Sequence, residues 1–150
     1  MTRLTRLPAA LAVGTVAVIL LTGCPSGGPK NVPIKGKLVD NGQPVKAAAK
    51  LPPGDPGMRV EFITVKGGVA GEPYGASVNA GEGTFTVPGP KGKGIPPGQY
   101  KVSVHVGAFG APDALKGAFI PEKTPLTVDI PDKPAVNVTV DVGKKAVTVD

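Results

Sequence analysis

The chain carries a period-two alternation of apolar and polar side chains. Val136, Val138, Val140 and Val142 fall on one face of an extended segment, with Asn137, Thr139 and Asp141 on the other. Successive strand residues point to opposite sides of a sheet, so this spacing predicts a half-buried strand whose valines enter a core. Tyr100, Val102, Val104 and Val106 alternate likewise with Lys101, Ser103 and His105, and Leu126, Val128 and Ile130 alternate with Thr127 and Asp129. Shorter runs predict further strands at Ile34 to Val39, Val45 to Leu51, Met58 to Val65, Tyr74 to Val78, Thr84 to Val87 and Ala146 to Val149. Asp40-Asn41-Gly42 is a strong hairpin turn signal, and Gly81-Glu82-Gly83 and Val142-Gly143-Lys144 suit tight turns. Helix is expected only as a turn or two over Pro112 to Phe119, where Pro can take the first helical position. The sum is an all-β chain of about seven to nine strands, arranged as a single antiparallel sandwich.

One segment breaks this pattern. Arg3 and Arg6 precede an apolar run from Leu7 to Leu21, broken only by Pro8, Gly14 and Thr15, which has the charged and apolar regions of a secretory signal. At about 15 residues the run is short of the roughly 20 that a helix needs to cross a bilayer. It ends in Leu21-Thr22-Gly23-Cys24, which resembles the lipobox of bacterial lipoproteins. That resemblance implies cleavage between Gly23 and Cys24 and diacylglycerol on Cys24, with two or more acyl chains holding the protein stably to a membrane. The expected organisation is a lipoprotein signal peptide at 1–23, a flexible tether at 24–31 (Pro25-Ser26-Gly27-Gly28-Pro29-Lys30-Asn31 lacks a packing side chain) and the sandwich at 32–150. The expected place is the cell envelope at the periplasmic or surface face, with inner against outer membrane left open.

Composition narrows the chemistry. With 22 Gly and 18 Pro, about a quarter of the 150 residues disfavour helix interiors. Disorder competes at such a content, but the regular alternation opposes it, and Gly and Pro gather in loops such as Pro52 to Gly57 and Gly89 to Gly98. Cys24 is the single cysteine, so no disulfide forms within one chain. The formal charge of +6 falls to +4 once Arg3 and Arg6 leave with the signal. A modest surplus without interleaved aromatics gives no nucleic-acid footprint.

Ile34-x-Gly36-x-Leu38, Gly42-x-Pro44-Val45-x-x-Ala48, Gly83-x-Phe85-x-Val87 and Pro97-Gly98-x-Tyr100-Lys101-Val102-x-Val104 together resemble the carboxypeptidase-regulatory-like domain, a transthyretin-like and Ig-like β-sandwich. Ile120-Pro121-Glu122-Lys123 followed by Thr124-Pro125-Leu126-Thr127-Val128 is similar to the closing segment of small planctomycete-type lipoproteins bearing that domain. The likeness runs from about residue 32 to 142 and departs at Lys50 and at Asn79-Ala80. It implies a non-catalytic module that binds, spaces or supports folding, with no cofactor.

Candidate chemistry is sparse. His105 is the lone histidine and lies opposite the apolar set of its strand, which leaves a Ser-His-Asp triad or a zinc site without enough ligands. No metal, cofactor or enzymatic activity is expected. The Gly89 to Gly98 loop lacks the order of a phosphate-binding loop, yet it places Lys91 and Lys93 where an acidic envelope protein or polymer could dock. Tyr74, with Phe109, is the candidate exposed ring for carbohydrate. A Lys35 or Lys37 to Asn137 cross-link under Glu61 or Glu82 meets the objection that the lysines and Asn137 should face water, whereas that reaction needs an unprotonated amine. The function expected is a membrane-anchored envelope lipoprotein with a binding or spacer sandwich. The alternative is a carbohydrate- or peptide-binding module that delivers its ligand to a partner protein.

Overall fold

The computed structural model describes residues 30–46, 55, 57–67, 69–108 and 110–150. The expected signal at 1–23, the expected cleavage junction Gly23–Cys24, the expected tether up to residue 29, Lys50, Phe109 and most of the Val45 to Leu51 segment lie outside the described residues. Among the described residues nine strands are found: β1 (Ile34–Asp40), β2 (Gln43–Pro44), β3 (Met58–Lys66), β4 (Val69–Ser77), β5 (Thr84–Val87), β6 (Gly98–Val106), β7 (Thr127–Ile130), β8 (Val136–Asp141) and β9 (Ala146–Val149). They make two sheets. One runs β2-β1-β8-β9 with β5 also on β1, and the other runs β4-β3-β6-β7. The protein is an all-β sandwich.

The alternations locate the core. Val136, Val138, Val140 and Val142 are buried, as are Tyr100, Val102, Val104 and Val106, and they pack with Ile34, Leu38, Val60, Phe62 and Phe85 into one apolar cluster between the sheets. Phe62 lies between Phe85 and Tyr100, both ring centroids 6.2 Å away. Gly36 is opposite Phe85 in the β1–β5 register, and a Cβ at Gly36 would fall inside the Phe85 ring. The glycine of the Ile34-x-Gly36-x-Leu38 motif is therefore the floor on which that ring lies.

Tyr100 donates its hydroxyl to the carbonyl oxygen of Pro96, 2.6 Å away and four residues upstream. This is a tyrosine corner, a pin found where a sandwich strand begins after a turn. Asn79 does similar work in the β4–β5 turn. Its side-chain oxygen accepts the N–H of Gly81 at 2.9 Å and of Glu82 at 3.3 Å, which explains why Asn is tolerated there.

Within this antiparallel-dominated sandwich three local details differ from the sequence reading. All described strand pairs are antiparallel except β1 with β8, which run parallel from Ile34↔Val136 to Val39↔Asp141. Period two fixes which face a residue takes and not the direction of its strand; the whole second sheet intervenes between β1 and β8 and supplies the crossover that a parallel pair needs. The helical turn over Pro112 to Phe119 is instead a series of reverse turns. Asp113 accepts the N–H groups of Val106, Leu115 and Gly117 on its carboxylate at 2.9 to 3.1 Å, and Lys116 and Gly117 are left-handed, with φ of 54° and 68°, so helix cannot propagate. Finally, Asp141 is buried although its parity faces water, because it caps two turns at the ends of the parallel pair.

Ser103 is also buried on its outward parity. The chain after β6 folds back over it: the N–H of Val104 donates to the Phe119 carbonyl and the Thr124 hydroxyl to the Val102 carbonyl.

Candidate functional site

The Gly89 to Gly98 loop is built by hydrogen bonds and backbone conformation. A single 3-10 turn covers Pro90–Gly92 with Lys91 left-handed at φ 58°. The N–H of Gly94 donates to the Pro88 carbonyl at 3.0 Å, and Ile95 and Val32 exchange hydrogen bonds of 3.1 and 2.7 Å. Gly94 has a φ of 87°, and a Cβ there would run into the Val32 carbonyl oxygen. The loop is thus tied to the start of β1, and it holds Lys91 and Lys93 exposed to solvent.

Tyr74 takes a different position from the exposed ring expected. It is only 9% exposed, because β4 turns it into the core, where its ring meets Tyr100 edge-on at 6.2 Å. Its hydroxyl donates to Glu72 at 3.3 Å. Burial, with the negative charge of Glu72 and that hydrogen bond, pushes the Tyr74 hydroxyl above its ordinary range. Burial, then Tyr74 and Glu72, pushes Tyr100 up to about 12. These two phenols are neutral structural groups, and the Tyr74 face is not open for a sugar to stack upon.

His105 is half-buried on β6, its Nδ1 3.9 Å from Oδ1 of Asp113. Ser103 donates to Glu61 at 3.3 Å rather than to His105, so the nucleophile-to-base hydrogen bond of a triad is not formed. Among the described residues no group of three or more His, Cys, Asp or Glu is placed to hold a metal ion. Lys35 and Asn137 are direct partners in the parallel register, both exposed. Glu61 sits on the other sheet, and Glu82 accepts the Thr84 hydroxyl at 3.2 Å.

The polar face of the β1 sheet is the arrangement that reading strand by strand does not reveal. Lys35 stands between Thr86 on β5 and Asn137 on β8, and Lys37 stands between Thr84 and Thr139. These six residues line a groove of about 580 Å³ on the side away from the core. Each was legible as a water-facing position from its parity. Their assembly depends on β5 and β8 flanking β1 on its two sides, and the signal for that would have been the matched polar parity of three strands far apart in sequence.

The chain matches no family model, no curated protein and no solved structure. Among the described residues no helix is long and apolar enough to cross a membrane.

Proposed function

We propose that this protein is a membrane-anchored lipoprotein of the cell envelope whose non-catalytic β-sandwich acts as a binding or spacer module. The observation that carries this reading is the sequence Leu21-Thr22-Gly23-Cys24 at the end of a charged and then apolar leader. Transfer of a diacylglyceryl group to the Cys24 thiol as a thioether, with cleavage before Cys24, would give a two-chain anchor, and acylation of the amine freed by cleavage a third chain, which is sufficient for stable membrane retention without a spanning helix. Residues 24–31 then act as a tether, and the sandwich begins at the Val32–Ile95 bridge.

The module reading is supported by the layout of polar groups. Cross-strand polar rows, a loop displaying two lysines and a core of apolar side chains suit recognition on a rigid scaffold better than reaction chemistry. The resemblance to the carboxypeptidase-regulatory-like domain belongs to the same proposal, and the tyrosine corner after Pro97-Gly98 supports it.

The test is the intact mass of the protein extracted from membranes. The expected species lacks residues 1–23 and carries acyl chains, and Cys24→Ser leaves it uncleaved or releases it from the membrane. An unmodified mass, or undiminished membrane retention of the Cys24→Ser protein as a processed chain, would overturn the proposal.

A further inference from the structure

We infer that the groove across the outer face of the β5-β1-β8-β9 sheet binds an acidic polysaccharide, with Lys35 and Lys37 taking its carboxylates and the flanking threonines and Asn137 its hydroxyls. The two lysines are two residues apart on the central strand, so their stems stand about 7 Å apart on one face. Both are exposed, and among the described residues neither makes an ion pair. On one side each is joined to a threonine of β5 and on the other to Asn137 or Thr139 of β8. Two such cations in a field of short hydroxyl and amide groups ask for a ligand that is anionic and polyhydroxylated.

The shape of the face selects among anionic ligands. Four neighbouring strands at about 4.8 Å spacing give the groove a breadth of about 14 Å across the sheet, enough for a few sugar rings in a row. A protein partner would demand an apolar or aromatic anchor. The one exposed large hydrophobic among the described residues is Val69, on β4 of the opposite sheet, so this face offers no such anchor there. An anionic lipid surface offers the same charge without a row of sugar hydroxyls for the threonines and Asn137, and the vesicle arm of the experiment separates the two. Among the described residues the acidic group lining the groove is Asp150, which exchanges backbone hydrogen bonds with Asn137 at its margin, and Glu82 holds the hydroxyl of Thr84 on the β5 side. They confine the ligand's carboxylates to the central strand.

Polysaccharide binding goes beyond the envelope reading and does not depend on lipidation, because it is measured on the purified full chain whether or not it carries acyl groups. The probe is a galacturonate oligomer, titrated calorimetrically against the protein in a neutral detergent. Its methyl ester, which keeps every hydroxyl and loses the charge, serves as the comparison, and vesicles containing phosphatidylglycerol are the second arm. The acid is expected to bind at least tenfold tighter than the ester and to weaken as salt rises to about 0.5 M, since exposed charges are screened within a few ångströms there. Lys35→Gln/Lys37→Gln should reduce affinity at least tenfold at unchanged melting temperature, and Asp150→Asn should raise it twofold to threefold. If the double variant is unstable, the single Lys35→Gln protein supplies the same comparison. Equal binding of acid and ester, undiminished binding by the folded lysine variants, no binding of the oligomer at all, or binding of vesicles through these lysines in its place would overturn the inference.

Discussion

The backbone amide of Asn41 donates to Oδ1 of Asp141, 2.9 Å away in space and 100 residues away in the chain. The same oxygen accepts the N–H of Lys144 at 3.0 Å, and the Lys144 ammonium stands 3.7 Å from Oδ2. One carboxylate thus caps the β1–β2 turn and the β8–β9 turn together. It can do so because β1 and β8 run parallel and end side by side at Val39↔Asp141. Gly143 completes the fit, since a Cβ there would collide with the side chains of Asp40 and Asn41.

Removing that cap should be costly and pH-dependent. Burial works to raise the Asp141 carboxyl, but the N–H groups of Lys144, Asn41 and Gly42 and the Lys144 charge outweigh it and hold the group below the usual carboxylate range. A depressed native pKa contributes stability that is present above the unfolded value near 3.9 and is lost as pH falls through the native value. Asp141→Ala should therefore cost roughly 2 kcal/mol at pH 7, with the gap to the parent narrowing as pH falls below about 4. Asp141→Asn keeps an acceptor oxygen and should cost less. Thermal melts of the three proteins across this pH range check it, and a gap that does not change with pH would show that the charge of Asp141 contributes nothing.

At alkaline pH the tyrosines give the opposite limb. The chain has two, Tyr74 and Tyr100, and both are raised in the fold. With an unfolded value near 10 and Tyr100 at about 12, their stabilising contribution is complete below pH 10. It disappears as pH rises through the folded values. Ultraviolet titration of the folded protein should find both phenolates forming above the ordinary tyrosine midpoint, that of Tyr100 at about 12. Tyr100→Phe removes the hydrogen bond to Pro96 and should cost about 1 kcal/mol at pH 7, while flattening the alkaline loss.

Gly36 and Phe85 form a pair that a double-mutant cycle can isolate. Gly36→Ala places a methyl where the Phe85 ring lies and should destabilise by about 1–3 kcal/mol. Phe85→Leu alone loses ring contacts with Phe62. Because the smaller side chain vacates the space that the added methyl at position 36 needs, the double variant should be more stable than the sum of the two losses by about 1 kcal/mol or more. Denaturant midpoints measure it; strict additivity would mean that Gly36 serves only its own backbone.

These relationships mark the boundary of what the sequence discloses. Parity placed Val138 inside and Lys35 outside, and Asn41-Gly42 marked a hairpin turn, because each depends on one strand or one turn. Residues 41 and 42 adopt the left-handed pair expected, with φ of 50° and 83°. The burial of Asp141 and the partnership of Lys35 with Asn137 depend on which strands meet and in which direction, and nothing local to residues 35, 137 or 141 encodes that. Tyr74 illustrates the same limit. The sequence offers it as an exposed ring, whereas β4 extends over nine residues and buries the ring against Tyr100. For the candidate site, the lysines were legible one by one, and the groove they share was not.

The loop carrying Lys91 and Lys93 separates scaffold from display. Its shape rests on the left-handed Gly94, whose missing Cβ leaves room for the Val32 carbonyl, and on the Val32–Ile95 bridge, both residues of which are fully buried. Gly94→Ala should therefore cost more than about 2 kcal/mol, combining backbone strain with the loss of hydrogen bonds that close the bridge. The two lysines are exposed on that turn, so Lys91→Glu/Lys93→Glu should change stability by less than about 0.5 kcal/mol. If the loop meets an acidic polymer or protein of the envelope, the reversal of both charges abolishes that contact and the parent's binding weakens with salt, whereas galacturonate binding in the Lys35–Lys37 groove is reduced only by the general loss of positive field. Denaturation midpoints and the salt dependence of binding, measured on the parent and the double variant, check both halves. A double variant that unfolds would show that the lysines belong to the scaffold, and one that binds every acidic ligand as the parent does would leave the loop as a turn and nothing more.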